Sequence, residues 1–201
     1  MSSQSFAEML SEQRWDDHRY YHHSLVNQTL HLISASSFLI AYAYLFIDPV
    51  ISAMIAWLIA MTTRQAGHFF FEPKGYDHIN QATHDYKEQI KVGYNLRRKV
   101  VLLTIWAVAP AILWFEPSLY GTIEPATTVR EWLRDVGHFW LMLGLGGVIF
   151  RVVQLGVRDG WMTGVVWATK ILTDPFHDIK LYHRAPVELL RRSLARYNDR
   201  S

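Results

Sequence analysis

The sequence contains no cysteine, which removes disulfides, thiolate metal sites and cysteine nucleophiles together. Any metal must therefore rest on imidazole, carboxylate or backbone oxygen, a donor set that suits iron, zinc or manganese better than soft metals. An excess of one charge is lacking too. Lys and Arg number 20 against 18 Asp and Glu, a formal net charge of +2, so no electrostatic footprint for nucleic acid is visible. A glycine-rich phosphate loop, a Gly-x-Ser-x-Gly elbow and a His-Glu-x-x-His zinc helix are missing, which sets aside the reactions those motifs serve. The His-x-x-His-His boxes of membrane desaturases, internal repeats and low-complexity segments are missing as well. Residues 1–21 are polar, with no apolar run before a small-residue cleavage site, so no cleavable signal peptide is expected.

What is present is apolar sequence in blocks. Half of the 201 residues are hydrophobic and 14% are aromatic. The mean hydropathy of only +0.02 hides how they cluster. Residues 30–47 hold no charge, and residues 50–63 continue to 71 if Arg64 and His68 are tolerated. Further blocks cover 100–115, 136–150 and, shorter and with Lys170 inside, 161–172. Crossing a hydrocarbon core takes about 17–25 helical residues. The first two blocks reach this with their flanks, the third and fourth only marginally, and the fifth is expected to be interfacial or re-entrant. Asp48-Pro49 separates the first two as a turn, because proline disfavours a helical residue before it. The expected fold is all-α, a polytopic membrane bundle of about four transmembrane helices in hairpins plus interfacial helices. A single domain is expected, divided into an N-terminal segment (1–28), a first hairpin (29–71), a loop (72–98), a second hairpin (99–160) and an interfacial C-terminal segment (161–201). A soluble helical protein would instead have to bury several nearly uncharged segments in a short chain.

Orientation follows from basic residues near the segment ends. The Asp48-Pro49 turn has none, whereas the 72–99 region carries Lys74, Lys87, Lys91, Arg97, Arg98 and Lys99. The tail carries Lys180, Arg184, Arg191, Arg192, Arg196 and Arg200, and the 116–135 loop only Arg130 and Arg134 among four acids. Both termini and the 72–98 loop are therefore expected in the cytoplasm, with the protein in a bacterial inner membrane or an endoplasmic-reticulum-like membrane. Residues 187–197 fit a basic amphipathic helix on the membrane surface or a solvated charged helix. This topology gathers His18, His22, His23, His31, His68, His78, His84, His177 and His183 at one face and leaves His138 at the other.

Three clusters carry chemistry. His23, Asn27 and His31 are spaced by four and share a helical face. Ser24 is a plausible N-cap. With the helix starting there, either His22 or His23 can fold back toward His31, although a His and an Asn can also simply bond neighbouring helices. In Gly67-His68-Phe69-Phe70-Phe71-Glu72, the glycine admits a close helix and His68 shares a face with Glu72. The hairpin returns His68 to the depth of His31, and an ionisable group at the end of a span is a functional candidate. A His68–Glu72 hydrogen bond fixing helix ends is the plainer alternative. His84 and Glu88 are again four apart, with Asp85 beside them. Either carboxylate suits a two-His-one-carboxylate iron site or the orienting of a ligand, and a solvated helix explains them equally.

At these residues the chain resembles the fungal and bacterial membrane 2-hydroxy fatty acid dioxygenases of fatty acid α-oxidation. Tyr21-His22-His23, Asn27 and His31 match the first part of that family's pattern, and Gly67-His68 with Glu72 the second. The resemblance implies a small helical membrane enzyme that uses Fe(II) and dioxygen to shorten a 2-hydroxy fatty acid by one carbon. It favours His22, His31 and His68 as ligands; His23, and His84 from the third cluster outside the resemblance, are the next candidates. Asn27 would orient a ligand or the substrate, and Glu72 would act from behind a ligand. Arg64 and Lys74 are candidates for the substrate carboxylate by position. The expected partners are a lipid or fatty acid, dioxygen and the membrane, with no nucleic acid, and homo-oligomerisation stays open. Two other readings stand beside this one. The first is a two-metal histidine-rich lipid hydroxylase that also uses His78, His84, His177 and His183. The second is a non-catalytic scaffold or small transporter whose histidines bond helices or sense pH.

Overall fold

The computed structural model describes residues 4–198; Arg200, one of the tail cations, lies outside them. The regular structure of the described residues is all helix, with one isolated bridge between Asp77 and Ala82 in a loop. α1 (Phe6–Tyr21) starts at a capping box in which Ser5 and Glu8 bond each other's backbone N–H. The chain breaks at His22, and Ser24 begins α2 (Leu25–Tyr44) by accepting from the Asn27 N–H at 3.0 Å. After the turn, Asp48 caps α3 (Pro49–Ile55) and Pro49 takes the first turn, where its missing N–H costs nothing. Six residues of π-helix (Ala56–Met61) then lead into α4 (Thr62–Phe70). α2 packs along this whole second arm, and the Ser52 hydroxyl donates to the Ala41 carbonyl at 2.7 Å.

A short α5 (His84–Ile90) lies in the following loop, capped by Thr83. α6 (Leu96–Phe115) and α7 (Val129–Asp159) form a second antiparallel pair. Together with α3 and the π segment they enclose the main apolar core, in which Trp57, Leu113, Val136 and Trp140 are buried. Two of the indoles here are satisfied by neighbouring carbonyls, while Trp106 Nε1 and Trp132 Nε1 have no partner. Trp57 Nε1 donates to the Trp140 carbonyl at 2.8 Å, and Trp140 Nε1 donates to the Trp106 carbonyl at 3.0 Å.

α8 (Trp161–Tyr182) follows α7 after one residue, Gly160, whose φ of 96° suits glycine. The two helices are pressed together at Gly164, where a Cβ would stand 2.6 Å from the Val152 carbonyl oxygen. That neighbour is backbone and cannot rotate away. Gly164→Ala is therefore expected to destabilise the protein by about 1–3 kcal/mol, read as a lowered melting temperature in detergent. α9 (Ala185–Asn198) closes the described chain and leaves Val187, Leu190 and Leu194 exposed along it.

α6 and α7 are long and apolar enough to cross a membrane. In their most apolar 18-residue windows only 11% and 22% of positions are buried, so these helices turn apolar side chains outward rather than into a core. The first hairpin is less apolar than its hydrophobic blocks suggest. α2 carries Asn27, Gln28, His31, Ser34 and Ser37 on or near its buried side, and its partner arm is divided by the π segment. The fifth block is only part of an element. α8 runs ten residues beyond 172, through Pro175, because the charges that end the hydrophobic run are matched by partners on other helices.

Candidate metal centre

Three histidines from three pieces of chain meet where the first hairpin opens. His22 sits in the break between α1 and α2, His31 in α2, and His68 near the end of α4. All three are buried, with His31 at 0% exposure. Their ring centroids are 3.9 Å apart for His22 and His31, 5.0 Å for His31 and His68, and 5.7 Å for His22 and His68. One ring nitrogen from each lies within 4.8 Å of the others. Nitrogen ligands about 2.1 Å from one ion stand roughly 3.4 Å apart in a tetrahedral arrangement, so small ring rotations close the group around a metal.

Local structure explains the convergence. Ending α1 at Tyr21 takes His22 off the helix, and two side chains of α2 fasten the turn over His31. Asn27 Nδ2 donates to the Tyr21 carbonyl and Gln28 Nε2 to the His22 carbonyl, both at 2.9 Å. On the other arm, Gly67 allows α4 to reach α2. A Cβ there would stand 2.2 Å from Asn27 Oδ1 and 3.4 Å from the His31 ring. The π segment inserts an extra residue into the turns before α4 and so sets which face of α4 meets α2, a device common at functional sites.

Each ring has an oxygen behind it. His22 Nδ1 lies 2.7 Å from the Tyr182 hydroxyl and His68 Nδ1 lies 2.9 Å from Glu72 Oε1. His31 Nδ1 is 3.8 Å from Asp178 Oδ2, beyond hydrogen-bonding distance. Partners at Nδ1 leave Nε2 of His22 and His68 for the centre of the group. The Nε2 atom of His22 and both ring nitrogens of His31 are buried with no hydrogen-bond partner. Such orphans are rare in a folded interior and call for an explanation; a coordinated cation supplies one. Burial pushes the His22 imidazole well below its ordinary range, and His31 adds to the shift. The ring is therefore neutral, the form that binds metals. Glu72 is raised by burial against the opposing pull of Lys91 and Lys99.

A polar frame surrounds the group. Lys170 bonds Asp17 and lies 2.7 Å from Asp174, while Arg64 reaches Asp178 at 3.0 Å and Asp174 at 3.7 Å. Burial alone would raise the Asp17 carboxyl, but the charge and hydrogen bond of Lys170 hold it well below the usual range. On the other side lies an apolar cavity of about 390 Å³, within the size range of ligand sites. His68, Arg64, Lys91 and Lys99 line one part of it, and Trp57 and Trp140 another.

The remaining sequence candidates fall as follows. Asn27 is wholly buried beside the group, where it ties the turn, and Glu72 backs His68. His23 points away from the site, exposed, and bonds the Arg19 carbonyl. His84 begins α5 beside Asp85, outside the histidine group. Arg64 is next to the site but engaged by two aspartates, and Lys74 is exposed. Among the described residues, His78 packs on Tyr76, His177 is half-buried beside Asp178, and His183 bonds the Lys180 carbonyl. Sequence reasoning passed over Asp174 and Tyr182 and gave Asp178 only a minor place beside His177, as a headgroup contact or part of a lid. Their signal was the four-residue spacing from Lys170 to Asp174, Asp178 and Tyr182, which puts all four on one face of α8.

No family model, curated protein or solved structure matches this chain. The fold and the site define an all-helical protein with two helices able to cross a membrane and a buried group of three histidines able to hold a metal.

Proposed function

We propose that this protein is an Fe(II)-dependent dioxygenase of 2-hydroxy fatty acids, with the bundle crossing the membrane through both hairpins. The observation that carries the reading is the convergence of His22, His31 and His68, with buried unpartnered nitrogens facing one another. The three are the histidines that the resemblance to the 2-hydroxy fatty acid dioxygenases singles out. They would hold iron, which when bound activates dioxygen beside a coordinated substrate.

The chain's own residues do the rest. Tyr182 and Glu72 hold the rings of His22 and His68, so each presents Nε2 inward with its proton kept at Nδ1. With that tautomer, His22 Nδ1–H donates to the Tyr182 oxygen, and the Tyr182 O–H is free to donate to His18 Nδ1 at 3.1 Å. Asn27 and Gln28 keep the His22 turn in place. The neighbouring cavity offers apolar walls to an acyl chain and screens the reacting end from water. The overall reaction balances without another reductant. Dioxygen accepts four electrons, the hydroxyl-bearing carbon becomes the new carboxyl, and the old carboxyl leaves as carbon dioxide with one water.

The test is turnover. Iron-loaded protein supplied with 2-hydroxystearic acid and dioxygen is expected to yield the acid one carbon shorter, seen by mass spectrometry. Stearic acid without the hydroxyl is expected to stay intact. Fully iron-loaded protein that leaves the hydroxy acid unchanged would sink the proposal. A two-metal alternative gains no support from the geometry, because His22, His31 and His68 are the one such group among the described residues.

A further inference from the structure

We propose that Lys99 is the counter-ion for the carboxylate of a single-chain acid whose tail occupies the apolar cavity. Four basic side chains line that cavity: Arg64, Lys91, Lys99 and Lys170. Three are already neutralised. Arg64 is held by Asp178 and Asp174, and Lys170 by Asp17 and Asp174. Lys91 lies 3.3 Å from Glu88 and 3.5 Å from Glu72, with its ammonium 3.6 Å from the centre of the Tyr21 ring. Lys99 is different. Among the described residues no carboxylate oxygen lies within 4.0 Å of its ammonium, and no hydrogen bond engages it. A half-buried basic side chain without an acidic partner, in a wall otherwise dominated by apolar groups, is a position where a carboxylate would supply the missing counter-charge.

Its place in the fold matches an acid of one shape. Lys99 stands in the first turn of α6, at the end of a helix able to cross a membrane, and shares the cavity wall with His68. The cavity extends from there past Leu102 and Trp57 to Trp140 and Leu145, surfaces that suit hydrocarbon and nothing charged. A carboxylate at Lys99 would therefore lie beside the histidine group while its tail followed the apolar wall. The reaction proposed above supplies the ligand class, but the assignment of Lys99 rests on charge pairing and needs no metal. It displaces Arg64, whose charge is satisfied, and Lys74, which is not part of the cavity.

Trp57, Trp140 and Trp167 in the wall provide the readout. The full chain in detergent, stripped of metal by chelation, is titrated with dibrominated stearic acid and with its methyl ester, following quenching of tryptophan fluorescence. The parent is expected to bind the acid about 10–100-fold more tightly than the ester, the worth of a charge-assisted bond. Lys99→Met is expected to abolish that preference, Lys99→Arg to keep most of it, and Lys74→Met to leave it unchanged. Equal binding of acid and ester by the parent, or an undiminished preference in Lys99→Met with a parent-like melting temperature, overturns the proposal. Iron content and turnover are measured on separate samples. Acid preference lost in Lys99→Met with iron retained supports the anchor. A preference present in a parent that binds no iron supports it equally while removing the oxygenase reading.

Discussion

Replacing His31 or His68 with alanine is expected to strip the protein of its metal. The parent, purified in detergent without added metal or reconstituted anaerobically with Fe(II), should carry close to one iron per chain by mass spectrometry. Each variant loses one of three converging nitrogens, and the other two, from different elements, cannot hold the ion in competition with water and buffer. The outer partners grade the effect. Tyr182→Phe and Glu72→Leu remove the oxygens behind His22 and His68 and should weaken iron binding about 10–100-fold, the usual weight of such partners. Glu72→Gln keeps an acceptor for His68 Nδ1–H and should lie nearer the parent. His23→Ala and His84→Ala touch nothing in the group and should retain full stoichiometry. A parent that stays metal-free after reconstitution, or iron that survives in both His31→Ala and His68→Ala, would refute the assignment.

Much of this site was legible in the sequence because it depends on local signals. Ser24 as a cap, the Asp48-Pro49 turn and Gly67 before His68 are each decided by neighbouring residues. Together they fix where His22 leaves the helix and where His68 returns. What could not be read depends on distant pairing. The run from 50 to 71 looks like one helix, since nothing in Ala56–Met61 distinguishes π from α winding. α8 was cut short at 172 because hydropathy counts Lys170, Asp174 and Asp178 as exposed charges. In the folded chain each finds a partner on another helix: Asp17 on α1 for Lys170, Arg14 on α1 for Asp174, and Arg64 on α4 for Asp178. Hydropathy also hides what the first hairpin buries. It averages over faces, so the apolar block that starts at residue 30 concealed buried His31 and Ser34, which continue a polar stripe from Asn27. That stripe is where the chain spends its polar groups on the site rather than on solvent. Among the described residues, α6 and α7, which carry no such stripe, have the length and apolarity of spans.

The same pairing makes Lys170 the residue whose loss should destabilise the protein most. Lys170 is 5% exposed, and its ammonium sits between Asp17 on α1 and Asp174 on its own helix. Lys170→Met fills a similar volume but leaves Asp174, itself 4% exposed, with only the longer contacts of Arg14 at 3.4 Å and Arg64 at 3.7 Å. Breaking one side of a buried ion pair typically costs about 3–5 kcal/mol, which in a chain of this size lowers the melting temperature by roughly 6–20 °C. Removing the opposing charges together, with Asp17→Asn and Asp174→Asn beside Lys170→Met, should recover a large part of that loss, since the penalty comes from stranded charge and not from missing attraction. Arg192→Ala, which breaks an exposed pair with Glu188, sets the scale for a surface contact and should change stability by no more than about 0.5 kcal/mol. A Lys170→Met protein that melts with the Arg192→Ala control would show that the frame is not held by charge. If the frame is so held, the damage should reach the metal group. Asp178 and Tyr182 lie two and three turns along α8 from Lys170, and Tyr182 is what holds the ring of His22. Loosening α8 against α1 should therefore lower iron retention in Lys170→Met, although Lys170 bonds none of the three histidines.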